Sequence, residues 1–221
     1  MNDPKYRLQA FGGLSAHLVE PARAVLVGQR KRLALLAALA ADGNGGVSRD
    51  RLLAMFWPEA DAAHARNALK QLVHSIRREL SDDAIVDVNG QLTLARDVMS
   101  SDVRDFRAAV QEGSLTHAAE LYRGPFLDGV YLRDAPEFER MLEETRRSLE
   151  MQYASSLEQL ATTAMRDGDH ASSIRWARAL AALDPLSTRS ALLVISALEA
   201  SGDAAAAIKH GELHASLLQH E

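Results

Sequence analysis

Asp61 to Leu80, DAAHARNALKQLVHSIRREL, decides how this chain is read. Placed on a helix at about 100° per residue, its side chains divide into two faces. Ala65, Leu69, Leu72, Val73, Ile76 and Leu80 fall within about 100° of one another and form an apolar stripe. Arg66, Asn67, Lys70, Gln71, His74, Arg77 and Arg78 cover about 140° of the opposite side. The two acids of the segment, Asp61 and Glu79, lie at the margin of the stripe, off the basic face. Cations interleaved with Asn, Gln and His suit the major groove of a duplex. Arg and Lys neutralise phosphates, and Arg, Asn and Gln can bond base edges in pairs. Taken alone, the same pattern also describes a solvated helix face, so the flanking sequence has to decide.

Upstream, 6–11 and 14–19 run as short strands about Gly12-Gly13, which predicts a hairpin, and 24–27 adds a third short strand. The segment 29–41, QRKRLALLAALAA, is a helix with a basic first turn, stopped by Asp42-Gly43-Asn44-Gly45-Gly46. Ser48 is placed to cap a short helix that ends at Phe56, before Trp57-Pro58, and Asp61 caps the basic helix. Downstream, 85–88 and 91–94 alternate on either side of Asn89-Gly90. Both turn residues tolerate positive φ, so this is a strong hairpin signal. Short strands, three helices with the third basic, and a closing hairpin describe a winged helix. In that architecture the third helix enters the major groove, and the wing, here tipped by Asn89 and Gly90, lies along the backbone or in the minor groove.

From Ser101 the pattern is wholly helical. Segments 102–112 and 114–122 pair about Gly113, and an apolar turn-rich loop follows over 123–133. A long helix then starts near Pro136 and runs to Arg166, with Phe138, Met141, Leu142, Leu149, Tyr153, Leu157 and Leu160 as its stripe. Gly168-Asp169 and Gly202-Asp203 stand 34 residues apart, each between two helical segments. Leu157, Leu160, Ala161, Ala164, Ala177, Leu180 and Pro185 fall where tetratricopeptide repeats carry packing residues and a closing proline, and the second repeat is degenerate at Gly211 and His214. Repeats of this kind build concave protein-binding surfaces.

Bulk properties narrow the functional classes. The 221 residues carry a net charge of −5, yet residues 1–98 hold 13 Lys+Arg against 11 Asp+Glu, and the remainder holds 12 against 19. A near-neutral half with cations gathered on one helix still binds a polyanion, because local potential counts for more than the total. The absence of cysteine excludes disulfides, thiolate metal sites and a cysteine nucleophile, and fits a reducing compartment. The first residues, MNDPKYRLQAFGG, lack the apolar core of a secretion signal and no segment is apolar enough to cross a bilayer, so a cytoplasmic, nucleoid-associated protein is expected.

Catalysis has no motif behind it. The adjacent carboxylate pairs Asp82-Asp83 and Glu143-Glu144 face different ways, and no phosphate-binding glycine loop or nucleophile elbow is present. His210 and His214 are spaced as metal ligands, but no acid completes a site, so neither metal nor cofactor is expected. Lys31 and Arg32, at a helix start whose dipole they oppose, are read as solvated in preference to phosphate-binding, and Trp57 and Trp176 as packing residues. Two readings stay open: a DNA-binding regulator with a helical effector region, or a protein-interaction adaptor whose winged helix contacts protein.

The run VSRDRLLAMFWPEADAAHARNALKQLVHSIRREL, a hairpin, and then LYRGPFLDGVYLRDAPEFE resemble SARP-type transcriptional activators. The likeness is strongest at Trp57-Pro58, Ala65-Arg66-Asn67, Leu121-Tyr122-Arg123-Gly124 and Phe126-Leu127-Asp128-Gly129. It implies a mainly α protein: an OmpR-type winged-helix DNA-binding domain over 1–98, then a tetratricopeptide-like bacterial transcriptional activation domain over 99–221. It also implies binding of promoter direct repeats in double-stranded DNA by two protomers, and recruitment of RNA polymerase holoenzyme. Asn67, Lys70, Gln71, His74, Arg77 and Arg78 match the recognition-helix region of that family, and Asn89-Gly90 its wing. The sensor and nucleotide-binding modules of some members have no counterpart here. The sequence stops inside an apolar-periodic helix over 204–221, so it is expected to be part of a longer protein.

Overall fold

In the computed structural model, which describes residues 3–26, 28–43 and 45–220, the chain is mainly helical with two small sheets. It divides into two compact units, Met1–Gln111 with Glu120–Leu149, and Glu112–Ala119 with Glu150–Glu221. Residues 98 and 99 both lie within the first of these units. The strands and helices, in chain order, are β1 Tyr6–Gln9, β2 Ser15–Leu18, β3 Arg23–Val25, α1 Arg30–Ala41, β4 Val47–Ser48, α2 Arg49–Phe56 and α3 Ala62–Glu79. There follow β5 Ile85–Val88, β6 Gln91–Leu94, β7 Met99–Ser101, α4 Asp102–Gln111, α5 Leu115–Leu121, α6 Pro136–Arg166, α7 His170–Leu183, α8 Thr188–Ala200 and α9 Ala204–Gln219.

Within the first unit, one sheet has the order β3-β2-β1-β7, antiparallel except for β1 beside β7, and a second has the antiparallel order β4-β6-β5. The hairpin expected around Gly12-Gly13 forms, but with a wider loop than the sequence suggests. Strand pairing stops at Gln9 because the Ala10 and Phe11 amides donate instead to the Asp102 carboxylate, at 2.9–3.0 Å, and Phe11 and Gly13 bridge to Phe126. Strands β4 and β7 have no sequence signal of their own; each is two or three residues long. The third predicted strand ends at Val25, and Val27 and Asn44 lie outside the described residues.

α1 is buried along nearly its whole length, as its Ala/Leu composition requires. The carbonyls at its C-terminal end are met by guanidinium groups from α4. Arg104 donates to Leu39 at 3.3 Å and to Leu94 at 2.9 Å, and Arg107 donates to Ala41. Cations there offset the negative end of the helix dipole. Burial pushes the Arg104 pKa down to about 10. Phe11, Phe106, Phe126 and Phe138 are fully buried, with Phe11 edge-on to Phe106 at 5.4 Å and Phe56 against Phe138 at 5.4 Å. Residues beyond 98 thus complete the core of the first unit. The 123–133 loop is held there by Arg146, which donates to the carbonyls of Phe126 (2.7 Å) and Leu127 (2.6 Å).

The second unit is built on α7, α8, α9 and the later part of α6. Ala161, Ala177, Val194, Leu198 and Ala207 form one core cluster, and Ala119, Leu157 and Leu180 another, with Trp176 packed against both. Of the expected repeat positions, Leu157, Ala161, Ala177 and Leu180 are buried, while Pro185 is exposed. Each Gly-Asp pair makes the same turn. Gly168 and Gly202 take positive φ, and Asp169 and Asp203 cap the next helix through the Ser172 and Ala206 amides, both at 3.0 Å.

Candidate nucleic-acid interface

α3 starts where Asp61 accepts from the Ala63 and His64 amides, each at 3.0 Å, and runs 18 residues. Its apolar stripe is buried as expected, Leu72 excepted, which is only partly covered. Arg66, Asn67, Lys70, Gln71, His74 and Arg78 are exposed. Among the described residues, no side-chain hydrogen bond or ion pair engages these six. The acids at the margins are drawn elsewhere. Asp61 is used by the cap, and Glu79 pairs with Arg32 at 2.8 Å and accepts from Gln29. The outward face of α3 is therefore cationic and unneutralised.

Arg77 differs from its neighbours on the helix. It is partly buried, and its Nε and Nη2 donate to the Ile85 carbonyl at 3.0 and 2.6 Å. A base-reading guanidinium needs those donors free. Its contacts instead brace α3 against the first residue of β5.

The β5–β6 hairpin pairs in the expected register, with Val88 opposite Gln91 across Asn89-Gly90. Both turn residues have positive φ, 54° and 80°, and both are exposed. Asp87 organises this tip. One carboxylate oxygen accepts from the Gly90 amide at 2.9 Å, and the other pairs with Arg49 of α2 at 2.8 Å. The Arg49 hydrogen bond, then the Gly90 amide, hold the Asp87 carboxyl below the usual range.

Arg49 was not among the residues expected at the site. It opens α2 just after the Ser48 cap, whose hydroxyl accepts from the Arg51 amide at 3.3 Å. The available signal was a cation in the first turn of the helix preceding the basic one. Arg49, Arg66, Lys70, His74 and Arg77, with Asp50, surround a groove of about 510 Å³ whose remaining lining is Leu53, Leu69 and Val73. Lys31 and Arg32 prove not to be freely solvated. The Lys31 ammonium sits 4.4 Å from the Trp57 ring centre, where burial lowers its pKa, and Arg32 is held by Glu79. In the other unit, His214 has both ring nitrogens placed on neighbours, the Pro185 carbonyl at 3.2 Å and the Thr188 hydroxyl at 3.3 Å. No cluster of three or more metal-ligating side chains occurs among the described residues, and no helix there is long and apolar enough to cross a membrane.

A family model described as bacterial transcriptional activator domain matches residues 86–221. The structure is similar to that of Mycobacterium tuberculosis EmbR in complex with a low-affinity phosphopeptide, with a TM-score of 0.69 and 19% identity. That similarity covers 99% of this chain and 61% of the other, so the present chain spans less than two thirds of it. At this identity the likeness speaks for the fold, a mainly α chain with a small N-terminal sheet followed by helices. No curated protein matches the sequence.

Proposed function

The chain belongs to the bacterial transcriptional activator domain family, to which the resemblance to SARP-type activators also pointed, and on that premise we propose that it is a sequence-specific DNA-binding regulator. The family is one of transcriptional regulators, not of enzymes. The observation that carries the reading is the unneutralised face of α3, whose six exposed polar side chains lack partners while both marginal acids are engaged elsewhere. In the proposed complex α3 lies in the major groove. Asn67, Gln71 and Arg78 address base edges, Arg66, Lys70 and His74 address phosphates or bases, and Asn89-Gly90 follows the backbone as the wing. Arg77 acts through the hairpin it braces. Residues 1–98 serve DNA binding, and residues 99–221 serve activation by engaging RNA polymerase holoenzyme. Two protomers occupy a direct repeat, and the protein works in the cytoplasm at the nucleoid.

The test is selection of bound sequences from random double-stranded DNA with the 221-residue chain, followed by footprinting on the recovered motif. The expected result is enrichment of a short motif, repeated in tandem, with affinity that falls steeply as salt rises. Failure to retain any duplex at low salt would leave the adaptor reading, in which the winged helix contacts protein.

A further inference from the structure

We infer that Asp87 is an affinity-limiting residue of this interface: its carboxylate occupies the Arg49 guanidinium, and any duplex must displace it to recruit that cation. The inference rests on the DNA-binding reading above. Arg49 stands at the start of α2 on the rim of the basic groove, beside Arg66, Lys70, His74 and Arg77. It is the one member of that rim with a carboxylate partner among the described residues, and the partner comes from the wing. Both side chains are well exposed, at 48% and 38%, so a phosphate oxygen can reach the guanidinium that the carboxylate now holds.

The chemistry of the exchange is symmetrical. A guanidinium binds a carboxylate and a phosphate through the same planar set of N–H donors. Any docking duplex meets Asp87 as a negative charge at the wing and must compete with it for Arg49. A duplex with α3 seated brings its backbone to the wing and to the start of α2 together, and takes over Arg49 at that point. Displacing the carboxylate costs the same for every duplex that reaches Arg49, so Asp87 lowers affinity for arbitrary and cognate sequence alike. An exposed carboxylate is ionised at neutral pH, and the Arg49 hydrogen bond, the Gly90 amide and the nearby Arg77 charge lower its pKa further.

The experiment compares the full chain with Asp87→Asn, Arg49→Ala and the double variant. Each is titrated against a 20-base-pair duplex of arbitrary sequence and against the selected motif, over a range of salt. Asn keeps an oxygen for the Gly90 amide, so the turn survives, and thermal unfolding checks this. Asp87→Asn is expected to bind the arbitrary duplex about 1.4- to 5-fold more tightly, the range of an exposed ion pair. Its log affinity against log salt should be steeper by about 0.9, one extra neutralised phosphate. The motif should gain at least as much, and the double variant should lose the gain because it comes through Arg49. Affinity of Asp87→Asn equal to or below that of the parent overturns the inference. So does a gain that persists in the double variant, which would make Asp87 a mere repulsive charge. If the parent chain binds no duplex, the DNA-binding reading itself fails and this inference falls with it.

Discussion

Replacing Arg77 by Ala separates bracing from contact. The guanidinium makes two bonds to a single carbonyl oxygen, that of Ile85, at 3.0 and 2.6 Å, from a partly buried position. A hydrogen bond to a charged group contributes about 1.5–3 kcal/mol. Two donors sharing one oxygen count as little more than one bond, and partial exposure favours the lower end, so the loss is about 1.5 kcal/mol. For a unit of this size that lowers Tm by about 5 °C. Arg77→Lys should recover little, because an ammonium cannot reproduce the fork. The DNA readout is the salt dependence of fluorescence anisotropy on a selected duplex. Arg77→Ala should bind more weakly, since the hairpin loses its anchor, with the slope of log affinity against log salt unchanged. Lys70→Ala should do the reverse, leaving Tm where it was while the slope becomes shallower by about 0.9. An Arg77→Ala variant with parental Tm and the shallower slope of Lys70→Ala would refute the bracing role and return Arg77 to the contact set.

Other perturbations have equally direct readouts. Asp102→Ala orphans the amides of Ala10, Phe11 and Val103, which the carboxylate now satisfies at 2.8–3.0 Å. A cavity of about 70 Å³ beside it admits some water, so about 3 kcal/mol of urea stability should be lost, from about 1–3 per orphaned group. Burial raises the Asp102 pKa above its ordinary 3.8, against the opposing pull of those amides. The stability linked to its protonation is therefore full below the ordinary value and is lost as pH rises through the folded one. The stability of the parent relative to Asp102→Asn should accordingly grow as pH falls through that window. Gly12→Ala forces positive φ on a residue whose Cβ would stand 2.7 Å from the Arg123 carbonyl oxygen, and should cost about 3 kcal/mol by thermal unfolding. Gly90→Ala meets open space at φ 80°, so it should cost only about 1 kcal/mol, with a modest loss of affinity for every duplex.

Elements whose cause is local were legible in the sequence. The periodicity of 62–79, the Ser48 and Asp61 caps, the Asn89-Gly90 turn and the two Gly-Asp junctions each rest on residues a few positions apart, and all appear where expected. What escaped depends on partners distant in the chain. Strand β7 exists because β1 lies beside it, and the loop at Ala10-Phe11 opens because Asp102, more than 90 residues away, claims its amides. The same limit applied at the interface. Helix periodicity put seven polar side chains on one face of α3, but only the folded hairpin distinguishes Arg77, turned to Ile85, from Arg78, which is exposed. Arg49 was invisible for the same reason, since its place at the groove depends on how α2 lies against α3 and the wing.

The chain has no cysteine, so single-cysteine variants carry a photo-cross-linker at one known position. With the label on Gln71→Cys, in the middle of the exposed face of α3, irradiation with a radiolabelled selected duplex should yield a covalent protein–DNA product, with attachment to bases. The same label on Ser155→Cys, exposed on α6, should yield none. Attachment from position 155 without attachment from position 71 would contradict the assignment of α3 as the helix that enters the groove.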